Sequence, residues 1–242
     1  MTDYVYGRNP VAEWLDERAG DIEKIYVANP DQKVADMVTE ATDKSIPVEE
    51  VPRRSLNEMS EGSRHQGVVA RVGGFNLLEL SELLDREMGS PRRIIVIDQL
   101  QDPVNLGKVT RSACFFGVDG IVKTTDRTAP LSGTVLKTSA GAAAHVPFAE
   151  VTNLRRALET LKDERLWIVG ADLEGDVTPG EVPRDRDLAI VIGNEEEGIR
   201  RLTRETCDYL VKIPGQGSFD SLNAATASAV LQYALQPQPD SS

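Results

Sequence analysis

Apolar positions along this chain fall into short blocks of changing period. Residues 22–27 (IEKIYV), 46–51 and 68–72 (VVARV) are brief β-type runs. Between the first two, residues 32–42 repeat apolar side chains at helical spacing, with Val34, Met37 and Val38 on one face. Asn9-Pro10 opens an earlier helix with proline at its first position and Val11, Trp14 and Leu15 turned inward. A short acidic helix is expected at 55–61. From residue 94 the strands become nearly continuous apolar runs, at 94–100 and 188–192 (LAIVI), with shorter ones at 120–123, 146–148, 166–171 and 209–213. A run without polar alternation suits a strand covered on both faces. Helical patterns at 106–116, 131–140, 153–164 and 197–205 separate these strands. Such alternation predicts an α/β fold with a parallel sheet, preceded by a smaller α/β unit. Residues 73–92 differ in character: a Gly-Gly pair, one amphipathic piece (LLELSELLDREM), then Gly-Ser-Pro-Arg-Arg. They read as a linker carrying one short helix. The expected boundaries are therefore 1–72, 73–92 and 93–242.

The last block, VKIPGQGSFDSLNAATASAVLQYAL (residues 211–235), ends a strand at Pro214, which has no N–H to continue a ladder. A loop with Gly215 and Gly217 follows, then a helix of small residues for which Ser221 is the expected N-cap. Small side chains let a neighbouring backbone lie close.

Composition narrows the reading. The chain has 242 residues, 40% of them hydrophobic, enough for a core. No apolar run approaches the ~18 residues of a membrane span. The opening MTDYVYGRNP lacks a basic and an apolar signal region, so a cytoplasmic protein is expected. Two cysteines, Cys114 and Cys207, make no disulfide or metal framework. The only histidines, His65 and His145, lack metal-ligand spacing, and no metal is expected. A net charge of −12 argues against a broadly basic nucleic-acid surface, so any RNA contact must use a local basic patch.

Familiar α/β signatures are missing: no G-x-G-x-x-G follows a first strand, and there is no Walker A sequence and no G-x-S-x-G elbow. The polar residues gather instead in three loops at carboxyl ends of strands, where α/β sheets place ligands. Asp102, Asn105 and Arg111 follow the first strand of the second domain. Gly193-Asn194-Glu195-Glu196-Glu197-Gly198 follows LAIVI, and Ser218, Ser221 and Asn223 follow the last strand. Each has a local explanation as a cap or as an acid favoured by a helix dipole. Their recurrence on several strand ends of one sheet weakens that explanation.

These segments, DPVNLGKVTRSACFFG, LAIVIGNEEEGIRRL and IPGQGSFDSLNAATASAV, resemble the three motifs of the SpoU (TrmH-like) branch of the SPOUT RNA ribose methyltransferases. VYGRNPVAEWL and HQGVVARV resemble that family's small, L30e-like substrate-binding domain. KTSAGAAAHVPFAEVTNL, LWIVGAD and RRLTRETCD are similar to the bacterial enzymes that methylate a guanosine ribose in 23S ribosomal RNA. The resemblance covers nearly the whole chain. It implies a trefoil-knotted catalytic domain, S-adenosyl-L-methionine as cofactor, and methylation of a ribose 2′-hydroxyl. Carried over by motif, the cofactor contacts are Gly193, Ile213 and Leu222, and Arg111 is the residue at the reacting hydroxyl. Asn105, Glu195, Ser221 and Asn223 match the family's other polar catalytic positions. The family also implies a homodimer through the catalytic domain. Gly215 and Glu196 depart from many relatives close to the expected cofactor pocket.

The favoured substrate is a guanosine of 23S rRNA, with a tRNA guanosine as the alternative. A non-catalytic RNA-binding or ribosome assembly factor is the reading from another class. The intact Arg111, Glu195, Ser221 and Asn223 count against it.

Overall fold

The computed structural model describes residues 3–218 and 221–237. In chain order, its strands and helices begin with β1 (Asp3–Tyr6), α1 (Arg8–Glu17), β2 (Ile22–Val27), α2 (Gln32–Asp43), β3 (Val48–Glu50), α3 (Arg53–Met59) and β4 (Val68–Val72). They continue with α4 (Leu80–Leu84), β5 (Arg93–Ile97), α5 (Pro103–Phe115), β6 (Gly120–Thr124), α6 (Gly133–Thr138), β7 (Phe148–Val151), α7 (Leu154–Asp163) and β8 (Trp167–Ala171). The last are β9 (Leu188–Ile192), α8 (Arg201–Thr206), β10 (Tyr209–Val211) and α9 (Ala224–Ala234).

The chain forms two compact units. The first contains residues 1–76 together with 131–145, and the second contains 77–130 and 146–242. In the first unit β1-β4-β2-β3 form a mixed sheet, with β4 antiparallel to both β1 and β2, and β2 parallel to β3. Strand β1 is only four residues long, too short to show a period, and the sequence pattern missed it. Asp31 caps α2, its carboxylate accepting from the Val34 N–H at 3.3 Å. Helix α1 starts at Arg8 rather than at the proline, with Gly7 at the N-cap and φ 97°, a left-handed value natural only to glycine. His65 is buried at 2% exposure. Its Nδ1 accepts from the Gly67 N–H at 3.1 Å, and its Nε2 faces the Asn57 Oδ1 at 3.0 Å. Burial, with Arg53 and Lys137 adding like charge, pulls its pKa below the ordinary value.

Residues 131–145 lie against this first sheet, a departure from the continuous 93–242 domain expected from sequence. A Cβ on Gly133 would stand 2.4 Å from the Tyr4 carbonyl oxygen, so α6 rests directly on β1. The Arg18 Nε donates to the Ala144 carbonyl at 3.0 Å, and the His145 Nε2 meets the Glu13 carboxylate at 2.7 Å.

The second unit has the six-stranded sheet β10-β8-β9-β5-β6-β7, parallel throughout. Every residue of β5, β6 and β9 is buried, the reason their sequences are near-continuous apolar runs. Residues 77–92 belong to this unit. Leu78 bridges Ala149, and Leu83 on α4 is fully buried in the core around Ile94, Val96, Leu158 and Ile168. The expected linker thus narrows, because its amphipathic helix has an apolar face to bury. Arg93 is 4% exposed and donates to four carbonyls: Leu235 (2.7 Å), Arg92 (2.8 Å), Arg186 (2.7 Å) and Arg184 (2.6 Å). It ties the start of β5 to the end of α9. Cys207 is a structural thiol, since burial pushes its pKa up to about 12.

Candidate active site

The chain leaves β5 toward β6 and leaves β9 toward β10, in opposite directions along the sheet. The carboxyl ends of β5 and β9, adjacent and parallel, therefore form a topological switch point, the place where open α/β sheets hold ligands. Three contacts close the two loops onto each other. Asp98, fully buried, accepts from the Arg200 Nε at 2.6 Å and from the Arg200 backbone N–H at 3.1 Å. The Asn194 Nδ2 donates to the Gln99 carbonyl at 2.9 Å. The Asp98 N–H donates to the Ile192 carbonyl at 2.8 Å.

The loop after β9 is a tight turn, not the helix start expected from residue 197. The Asn194 and Gly198 backbones bond reciprocally, and the Asn194 Oδ1 accepts from the N–H groups of Glu196 (2.8 Å) and Glu197 (3.3 Å). Helix α8 begins only at Arg201. A Cβ on Gly193 would lie 2.2 Å from the Gly198 carbonyl carbon and 2.4 Å from the Ile199 nitrogen. Glycine at 193 is thus required by the loop's own backbone crossing.

Within this frame the structure joins three of the sequence-predicted residues. Asn105 sits in the first turn of α5, which Asp102 caps through the Val104 N–H at 2.8 Å, and is 5% exposed. Its Nδ2 donates to the Glu195 Oε1 at 2.8 Å, and its Oδ1 faces the Asn223 Nδ2 at 3.4 Å. The Asn223 Oδ1 accepts from the Ala225 N–H at 2.9 Å. That cap fixes the direction of the chain of bonds: Asn223 must present its NH2 to Asn105, and Asn105 must then turn its own NH2 to the Glu195 carboxylate. Three loops distant in sequence meet in one polar line.

Other predicted residues stand apart from that line. Arg111 is exposed on α5 and has no hydrogen-bond or ion-pair partner among the described residues. Ser221 is exposed and is not the N-cap. Asn223 takes that place, and α9 begins at Ala224. Phe219 and Asp220, inside the same loop, lie outside the described residues. Ile213 is half-buried and Leu222 is 47% exposed. Residues 213–218 make no backbone hydrogen bonds among the described residues, and a Cβ on Gly215 or Gly217 would meet nothing within 4 Å. The same segment, from β10 to α9, carries the aliphatic Ile213 and Leu222. The Asp98–Arg200 latch escaped the sequence reading. Its one signal was an acid placed directly after the apolar run 94–97 of β5.

Comparison with known proteins identifies the family. Residues 92–233 match the SpoU rRNA Methylase family. The chain belongs to that family. Residues 4–77 match the RNA 2′-O ribose methyltransferase substrate binding family. The resemblance read from the three motifs is borne out, and the chain is an RNA methyltransferase with a parallel-sheet SpoU domain and an N-terminal substrate-binding domain. An "Uncharacterized tRNA/rRNA methyltransferase" of Mycobacterium avium is 39% identical, over 98% of this chain and 78% of that protein. The "Putative TrmH family tRNA/rRNA methyltransferase YacO" of Bacillus subtilis is 39% identical, over 96% of this chain and 94% of its own length. Among solved structures, the SpoU methyltransferase AviRb from Streptomyces viridochromogenes superposes with a TM-score of 0.83. It is 22% identical, covering 97% of this chain and 88% of that one, and it has also been crystallised with AdoMet.

Proposed function

We propose that this SpoU protein transfers a methyl group from S-adenosyl-L-methionine to the 2′-hydroxyl of a guanosine in 23S rRNA. One observation carries the reading: Asn223 and Glu195 converge at the switch point on Asn105, whose helix also bears Arg111, without a hydrogen-bond or ion-pair partner among the described residues. Bound, the cofactor supplies an electrophilic methyl on a sulfonium. Ile213 and Leu222 would wall its adenosine, and free backbone groups of residues 213–218 would read the adenine edge. Gly193 acts by closing the turn that carries Glu195. Arg111 clamps the ribose phosphate and stabilises negative charge growing on the 2′-oxygen. A guanidinium in general keeps its charge and has no lone pair to offer, so the clamp fits its chemistry better than general base action. Asn105 holds Glu195 and the start of α9 in place around the ribose, and Ser221 lies in the same loop as Asn223. The loop from β10 to α9 is the segment we take to thread the family's knot.

Arg111→Lys keeps the charge and loses the planar fork. The rate of methyl transfer is expected to fall at least about 100-fold, with cofactor affinity by calorimetry unchanged. Near wild-type turnover would refute the clamp. Substrate choice rests on the substrate-binding domain, while the relatives' names include both tRNA and rRNA. Mapping 2′-O-methyl sites in both RNAs with and without the gene decides it. Loss of one 23S guanosine mark is expected, and loss of a tRNA mark alone would overturn it. Action on ribosomal RNA also implies a cytoplasmic location.

We also infer a homodimer through the SpoU domain. Phe115 (82% exposed) and Tyr233 (69%) are both large and apolar, and Phe116 touches both rings, at centroid distances of 5.1 and 6.1 Å. An exposed aromatic cluster of this kind marks a protein contact.

A further inference from the structure

With a net charge of −12 on the chain, RNA contact by the first unit depends on which of its cations are not already neutralised by carboxylates. The unit contains ten Lys and Arg side chains. Six are held by carboxylates: Arg8, Arg18, Lys24, Lys44, Arg54 and Arg71. Four have no carboxylate partner among the described residues: Lys33, Arg53, Arg64 and Lys137. Three of these four converge. Arg53 is the first residue of α3, and Arg64 immediately precedes His65 in the loop before β4. Lys137, on α6, stands over the Tyr6 ring at 5.1 Å. Tyr6 packs in one cluster with Leu56 of α3 and Val69 of β4, the two elements that flank Arg53 and Arg64. The Arg64 backbone also lies against Gly7, directly after Tyr6. Arg53 and Lys137 are both close enough to His65 to act on its charge.

An unpaired cation is the kind that contributes to phosphate binding, because a paired one must first give up its carboxylate. We propose that the face formed by Arg53, Arg64 and Lys137 is where the first unit grips the RNA phosphate backbone. Lys137 is supplied by residues 131–145, which lie within the stretch matching the SpoU family yet fold onto the substrate-binding unit. The SpoU half of the sequence therefore completes the RNA surface of the other half. This rests on the RNA methyltransferase reading above.

The test uses the full chain and fluorescein-labelled 23S rRNA transcript, titrated at several salt concentrations. Arg53→Ala/Arg64→Ala/Lys137→Ala is compared with Lys24→Ala/Lys44→Ala/Arg54→Ala, which removes three paired cations of the same unit. The first triple should flatten the slope of log affinity against log salt by roughly 2, since each phosphate contact contributes about 0.7–0.9. It should also weaken binding at least about tenfold, and the control triple should stay within about twofold of wild type. Thermal melts confirm that both fold. Equal losses in the two triples, or none in either, overturn the proposal. Calorimetric cofactor binding separates the readings. A chain that binds S-adenosyl-L-methionine while its RNA affinity ignores the patch leaves the enzyme assignment standing and this face refuted. A chain that binds neither refutes both.

Discussion

Asn105 is the residue on which the candidate site turns, because among the described residues its side chain bonds to both of the other loops. Asn105→Asp keeps its shape and replaces the donor facing Glu195 with a second carboxylate. Two like charges at that separation cannot both stay ionised without cost. Urea unfolding at pH 7 should show a loss of roughly 1–3 kcal/mol relative to wild type, shrinking near pH 5 as the pair takes up a proton. A loss that ignores pH would refute the contact. His65 gives the opposite lesson, since it is a histidine outside the chemistry. Its folded-state pKa lies below that of the unfolded chain. Below about pH 6.5 the unfolded state binds the extra proton, so stability is full above that pH and falls as pH drops toward the folded value. Between pH 7 and 5.5 wild type should lose stability faster than His65→Gln. Equal slopes would show that His65 is not held neutral.

Among the elements, α9 shows how a helix of weak amphipathicity is kept. It lies along α5, where Ala225 and Ser228 allow a close approach, and Leu231 is fully buried. Its far end depends on Arg93, whose guanidinium is pulled below its usual pKa by burial and satisfies four carbonyls. Arg93→Met fills the volume and strips every donor. The expected cost is at least about 3 kcal/mol, seen as a lower urea midpoint at unchanged slope. A loss under about 1 kcal/mol would mean that water replaces the guanidinium freely. The loop after β9 obeys a similar constraint, because Gly193 and Gly198 cross too closely for any side chain at 193.

On the scale of the whole molecule, the exposed aromatics at the end of α5 and on α9 lie on the two helices that bear Asn105 and the Asn223 cap. Wild type should sediment as a dimer and Phe115→Ser/Tyr233→Ser as a monomer. A monomeric wild type would refute the inference. Among the described residues no helix is long and apolar enough to cross a membrane.

Most element types, β1 and residues 197–200 excepted, were legible in the sequence, as were the parallel sheet and the three loops of the candidate site. These depend on local chemistry: a strand buried on both faces needs an unbroken apolar run, and motif residues keep their spacing whatever the rest of the chain does. Asp102 was legible as a cap for the same reason. Tertiary structure alone decided the partnerships. Ser221 had the composition of an N-cap, but Asn223 took the place, where one amide can both cap α9 and reach Asn105. Glu197 had the look of a helix start, but Asn194 folded residues 194–198 into a turn that delivers Glu195. Residues 131–145 belonged by sequence to one domain and by contact to the other. Half of the cation pairings in the first unit were equally invisible, because Arg8–Asp31, Lys24–Glu49 and Arg71–Glu23 join residues far apart along the chain, whereas Arg18–Asp21, Lys44–Glu40 and Arg54–Glu58 sit at helical or turn spacing.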